Sequence, residues 1–169
     1  MSTRNLFKAG AFALIGLGVA LSGNANASTA TANMSVSATV VATCSVSAGS
    51  MAFGSYSGAA VTSSADLSVT CTNDAPYTIA LGAGSGTDAT TSARLLTNAS
   101  DSTSTLSYGL YQDSSYATTW GDTTGTDTLA GTGTGAAQTL TVYGRAPPSV
   151  GAVPAQGSYS DVITVTITY

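Results

Sequence analysis

Ala30-Thr-Ala32-Asn-Met34-Ser-Val36-Ser-Ala38-Thr-Val40-Val-Ala42-Thr-Cys44-Ser-Val46 is the stretch that decides the fold class. Its even positions are all small or apolar. Its odd positions, counted from Thr29 to Ser45, are polar except Val41. Strict period two places alternate side chains on opposite faces, so the stretch reads as a strand with one buried face. A helix would scatter the same residues around its circumference. The length is unusual: about 17 residues at roughly 3.3 Å each would span some 55 Å, whereas a domain of this size is about 30–35 Å across. Two readings follow. Either the stripe serves two places, with Cys44 and Val46 in the domain's first strand and Ala32 to Val40 reaching beyond it, or the strand bends and switches sheets within its own domain.

Toward the N-terminus lie Arg4 and Lys8, an apolar run over residues 9–21, and Ala25-Asn26-Ala27. A charged start, a short apolar middle and a small-x-small end make a secretory signal peptide, expected over residues 1–27. The alternative is an N-terminal membrane anchor, against which the shortness of the run argues. Cleavage after Ala27 leaves residues 28–169, enough for one domain with one core.

The composition of that mature chain excludes several functions. Arg94 and Arg145 face eight Asp, a net charge of about −6, with no Lys, His or Glu. Phosphate binding needs a basic surface, so nucleic acid is not an expected partner. Without His, neither a Ser/His/Asp set nor a Cys/His pair can form. Lys nucleophiles are absent too. Asp113, Asp122 and Asp127 could supply a glycosidase pair or a calcium site, but they sit among Ser, Thr and Gly, where Asp normally caps turns. The Gly-rich loops match no nucleotide-binding pattern. Trp120 and the tyrosines could form a sugar platform or pack in a core or interface. Asn33-Met-Ser35 and Asn98-Ala-Ser100 fit glycosylation sequons by chance. No enzyme, cofactor or metal is expected. Cys44 and Cys71 are an even pair in an exported chain, which suggests a disulfide; two free thiols or half of a metal site are the alternatives, and zinc would lack ligands.

The C-terminus mirrors the opening stripe. Gly157, Tyr159, Asp161, Ile163, Val165, Ile167 and Tyr169 share one parity, and the expectation is one strand running to the last residue. Uncovered, such a strand is open to pairing. Between the ends, Leu67/Val69/Cys71, Tyr77/Ile79/Leu81, Leu106/Tyr108/Leu110 and Leu140/Val142 alternate, separated by Gly-, Thr- and Pro-rich stretches. Several short strands with such turns predict an all-β sandwich or barrel.

An ordered set of segments carries a family resemblance: Cys44-Ser-Val46, Phe53-Gly54-Ser-Tyr56, Val69-Thr-Cys71-Thr, Pro76-Tyr77-Thr-Ile79, Arg94 with Leu96, Tyr108-Gly-Leu110-Tyr111, Trp120-Gly121, Tyr143-Gly144-Arg145-Ala-Pro147 and Gly157-Ser-Tyr159-Ser-Asp161-Val-Ile163-Thr-Val165. Over about residues 34–169 the chain resembles the spore coat protein U domain family, which includes the archaic, Csu-type chaperone–usher pilins. The resemblance implies an immunoglobulin-like sandwich lacking its last strand, completed by a donor strand from a neighbouring subunit. It implies a donor extension over residues 28–40, with Ala32, Met34, Val36, Ala38 and Val40 entering pockets, and a pilin domain over residues 41–169. Tyr159, Ile163, Val165, Ile167 and Tyr169 would border the groove and meet the chaperone. The implied partners are identical or related subunits, a periplasmic chaperone and an outer-membrane usher. The implied role is a structural subunit of a surface pilus for adhesion and biofilm formation. A non-polymerising coat or carbohydrate-binding protein of the same fold is the alternative.

Overall fold

The computed structural model describes residues 27–169. The expected signal peptide lies outside them apart from Ala27. The described residues fall into two units, 27–38 and Thr39–Tyr169. The first has no regular secondary structure, and its side chains are exposed. The second is all β. There is no helix among the described residues, and so none long and apolar enough to cross a membrane.

Nine strands follow one another: β1 (Cys44–Ala48), β2 (Val61–Cys71), β3 (Pro76–Leu81), β4 (Arg94–Asn98), β5 (Thr105–Tyr111), β6 (Leu129–Thr132), β7 (Ala137–Ala146), β8 (Tyr159–Ser160) and β9 (Val165–Thr168). They form a six-stranded sheet in the order β1-β2-β7-β5-β4-β8 and a three-stranded sheet in the order β6-β3-β9. Every ladder is antiparallel. This is the immunoglobulin-like sandwich expected.

Alternation builds the core. Leu67 and Val69 on β2, Val142 on β7, and Tyr108 and Leu110 on β5 face inward from the large sheet. Tyr77, Ile79 and Leu81 face them from β3, and all are buried. Burying each large apolar side chain contributes about 1.5–3 kcal/mol. Gly144 on β7 leaves the space that Met51 fills; a Cβ there would collide with the Met51 sulfur. Cys44 and Cys71 sit opposite each other in the β1–β2 ladder and form the disulfide.

Two polar side chains organise the interior. Trp120 is fully buried, and its indole N–H donates to the Ile79 carbonyl at 2.9 Å. Arg94, on β4, is also fully buried. Its guanidinium donates to the carbonyls of Gly82, Thr91, Leu81 and Trp120 at 2.7–2.8 Å. Burial lowers the Arg94 pKa, while Tyr108 and the carboxylates of Asp122, Asp161 and Asp127 oppose that shift. An arginine keeps its charge under such a shift, so these are charge-assisted bonds. They tie β4, the end of β3 and the Trp120 segment into one unit.

Three sequence expectations change. The stripe over residues 30–46 forms a strand only from Cys44 onward. The strands β4 and β6 were not foreseen. The expected single C-terminal strand is two strands in different sheets: β8 pairs with β4, and β9 pairs with β3. The break has a cause in Asp161. Its carboxylate accepts the Ser85 N–H and hydroxyl, each at 2.7 Å, the Tyr108 hydroxyl at 2.8 Å and the Val162 N–H at 2.7 Å. These bonds hold the chain where it crosses from one sheet to the other. Gly84 makes room: its φ is +94°, and a Cβ there would fall on the Asp161 carboxylate.

Removing the disulfide by Cys44→Ser with Cys71→Ser is expected to lower stability by about 3–4 kcal/mol, the entropy of an opened loop of this length. Urea titration of oxidised wild type against the variant measures it. Arg94→Leu strands four carbonyls at the centre of the fold. It should cost more than about 3 kcal/mol, read from the same titration; a loss under 1 kcal/mol, within reach of an ordinary surface substitution, would remove Arg94 from this role.

Candidate assembly groove

The small sheet ends at β9. On one side β9 pairs with β3, from Leu81↔Val165 to Thr78↔Thr168. On its other side no strand pairs with it among the described residues. β1, the edge of the large sheet, comes into contact with β9, yet no ladder joins them. The sandwich is therefore open along this seam. An unpaired edge presents a row of backbone N–H and C=O groups ready for another strand.

Beside the seam lies a cleft of about 340 Å³. Residues 48–51 and Phe53 border it on one side, Asp161, Ile163 and Val165 on the other. Its floor includes Leu67, Leu81, Leu110 and Val142, all core residues. Ile163, Val165 and Ile167 pack against the core but stay half-exposed. Their alternate neighbours point to solvent, and Val162 is 74% exposed. Phe53 packs edge-on against Tyr108, with ring centroids 5.7 Å apart. It partly seals the interior where the small sheet falls short.

The predicted groove residues divide. Ile163, Val165 and Ile167 share one edge, and Tyr169 lies just beyond β9, 57% exposed. Tyr159 does not join them. It lies in β8 opposite Asn98, and its hydroxyl donates to the Ala155 carbonyl at 2.7 Å and lies 2.6 Å from the Ser104 hydroxyl. There it helps line a second, larger hollow of about 810 Å³ under residues 153–158. Sequence parity alone could not separate Tyr159 from the others. The polar Asp161 between them was the available signal.

The predicted donor residues remain in water. Met34, Val36 and Val40 are 87%, 85% and 83% exposed, and Ala32 and Ala38 are exposed too. An exposed alternating apolar stripe is unsatisfied surface. The off-parity Val41 is 68% exposed.

Other candidate chemistry resolves into structure. Trp120 is wholly buried in the core cluster and offers no face to a sugar, so of the two readings core packing is the one found. Asp113 accepts the N–H groups of Ser115, Ala117 and Thr118, together with the Ser115 hydroxyl. Those hydrogen bonds hold its carboxyl well below the usual range. Asp127 accepts the Thr123 N–H at 2.7 Å. Both carboxylates close turns. Asn98 is buried, its side-chain oxygen accepting the Ser100 N–H at 2.8 Å.

Asp161, at one end of the cleft, combines opposing effects. Partial burial raises its pKa; the bonds from Ser85, Tyr108 and Val162 outweigh that and leave it below the usual carboxylate value. Tyr108 is pushed up, by burial first and then by its bond to Asp161. A carboxylate depressed by folding stabilises the protein above its unfolded pKa, near 3.9, and that stabilisation fades as pH falls through the folded value. The stability gap between wild type and Asp161→Asn should thus be full at pH 7 and shrink below about pH 4. Urea titrations from pH 2 to 7 test this; a gap independent of pH would contradict it.

Comparisons with known proteins agree with this fold. A crystal structure of a CsuC–CsuE chaperone–tip adhesion subunit pre-assembly complex, from the archaic chaperone-usher Csu pili of Acinetobacter baumannii, matches with a TM-score of 0.57 at 18% identity. The match covers 78% of this chain and 41% of the solved one, so this chain spans well under half of that protein's length, and the likeness is one of fold. Protein U of Myxococcus xanthus is 37% identical over 148 residues, covering 78% of this chain and 80% of its own. The Spore Coat Protein U domain model matches residues 30–166, and the chain belongs to that family.

Proposed function

We propose that this chain is a structural subunit of a chaperone–usher type surface fibre, in which the N-terminal segment of one copy adds as a strand beside β9 of the next. One observation carries the reading. The chain has both an open, half-covered strand edge and an exposed segment with the period-two apolar stripe such an edge accepts. Strand addition supplies ladder hydrogen bonds, and alternate side chains fill the cleft. Ala32, Met34, Val36, Ala38 and Val40 are the donor positions; Ile163, Val165, Ile167 and Tyr169 form the accepting edge.

Magnitudes limit the donor's share. Burying Met34, Val36 and Val40 contributes about 1.5–3 kcal/mol each. Ordering some ten residues costs about 1–2 kcal/mol each. The side chains alone do not drive assembly. The ladder and the covering of the acceptor's own cleft supply the remainder. Before assembly the open edge needs a temporary partner, which is the role of a periplasmic chaperone, and the likeness to a chaperone–subunit complex supports it. Delivery through an outer-membrane usher, a place at the cell surface, and service in adhesion and biofilm formation complete the reading. The family's spore coat description favours one other reading, a coat protein of the same fold that does not polymerise.

Deleting residues 29–40 separates the two. Co-expressed with its chaperone, the shortened chain should give a soluble chaperone-bound subunit and no fibres by electron microscopy. Added to the shortened subunit, a synthetic peptide of residues 29–43 should raise its melting temperature by several degrees, on the order of 5 °C. Fibres of normal length from the deletion variant would overturn strand donation by this segment, and an absence of fibres from the undeleted chain under the same conditions would favour the non-polymerising coat.

A further inference from the structure

The outer face of the six-stranded sheet carries its own pattern. On β2 the outward positions are Thr62, Ser64, Asp66, Ser68 and Thr70, all exposed. On β7 they include Thr141, Tyr143 and Arg145. Asp66 stands opposite Thr141 in the ladder and accepts its hydroxyl at 2.8 Å. An anion is thereby fixed at one end of this stretch of β7 and a cation at the other, four residues or about 13 Å apart. Tyr143 lies midway.

The cation is held in place. The Arg145 guanidinium lies over the Tyr116 ring, 5.7 Å from its centroid. Tyr116, at φ 58°, lies within the turn closed by Asp113 and meets Tyr111 edge-on at 5.6 Å. Arg94 is buried, so Arg145 is the one exposed basic side chain among the described residues. Tyrosine and arginine are the residue types that anchor protein contacts.

Charge selects the partner. At about −6 the mature chain repels polyanions and, in most orientations, its own copies. On this face the signs are paired so that a copy fits itself. A two-fold axis in the contact plane, crossing β7 at Tyr143, sets Arg145 of each copy against Asp66 of the other and Tyr143 against its counterpart. Such a contact is closed and self-complementary. We propose that this face is a self-association surface on which two copies meet about that axis. It is independent of the strand-donation reading: in a fibre it would join neighbouring fibres side by side, and in a coat it would join subunits directly.

The two-fold geometry gives a mixing test on the full exported protein. Asp66→Arg copies carry two cations on the face, and Arg145→Asp copies carry two anions. Each variant alone should self-associate at least about tenfold more weakly than wild type by analytical ultracentrifugation. An equimolar mixture of the two should recover wild-type association, as should the double variant. Raising salt to about 1 M should weaken the wild-type contact. Single variants that associate like wild type would overturn the proposal, as would a mixture that stays dissociated. Retention on a neutral polysaccharide matrix that is lost with Tyr143→Ala, with no self-association of wild type, would assign the face to glycan instead and equally overturn it.

Discussion

A six-stranded sheet cannot be covered by a three-stranded one. Strands lie about 4.8 Å apart within a sheet, so the small sheet falls short by roughly 14 Å of width. Much of the rest of the structure answers that deficit. Trp120 supplies bulk that no strand provides. Met51 and Phe53 reach in from an irregular segment to pack on the inner face of the large sheet. What they do not cover remains as the seam beside β9. The groove is the remainder of an unequal sandwich, and its apolar floor is the core itself.

Polar side chains hold this arrangement where apolar packing is thin. Arg94 gathers four carbonyls from segments that no ladder connects. Asp161 gathers donors from Ser85, Tyr108 and Val162 at the point where the chain leaves one sheet for the other. Both satisfy groups that could not otherwise be buried. They also fix the start of β9.

Much of this was legible in the residues. The period-two runs at Leu67, Tyr77, Leu106 and Leu140 located β2, β3, β5 and β7, because each buries one face against the opposite sheet. β4 escaped for a physical reason. Its inward positions include Arg94 and Asn98, so the usual apolar signal is replaced by polar groups satisfied inside. β6, Leu-Ala-Gly-Thr, is too short and too small-sided to show a period. The N-terminal stripe has a strand's period, yet among the described residues it forms a strand only from Cys44 onward, so periodicity reported a preference and not a location. Parity likewise grouped Tyr159 with Ile163, since alternation cannot tell one strand from two that share a phase. That Asp66 and Arg145 share the outer face, with Asp66 opposite Thr141 and Arg145 opposite Thr62, needed the β2–β7 register, which no single sequence reveals.

The placement of the two arginines has a further consequence. Proteases that cut after basic residues need a flexible, accessible segment to bind. Within residues 27–169 they find Arg94 sealed in the interior and Arg145 inside a central strand laddered on both sides. The exposed N-terminal segment, which any protease could reach, contains no basic residue from Ala27 to the disulfide. Residues 27–169, folded this way, resist one whole class of digestive enzyme without any added shield.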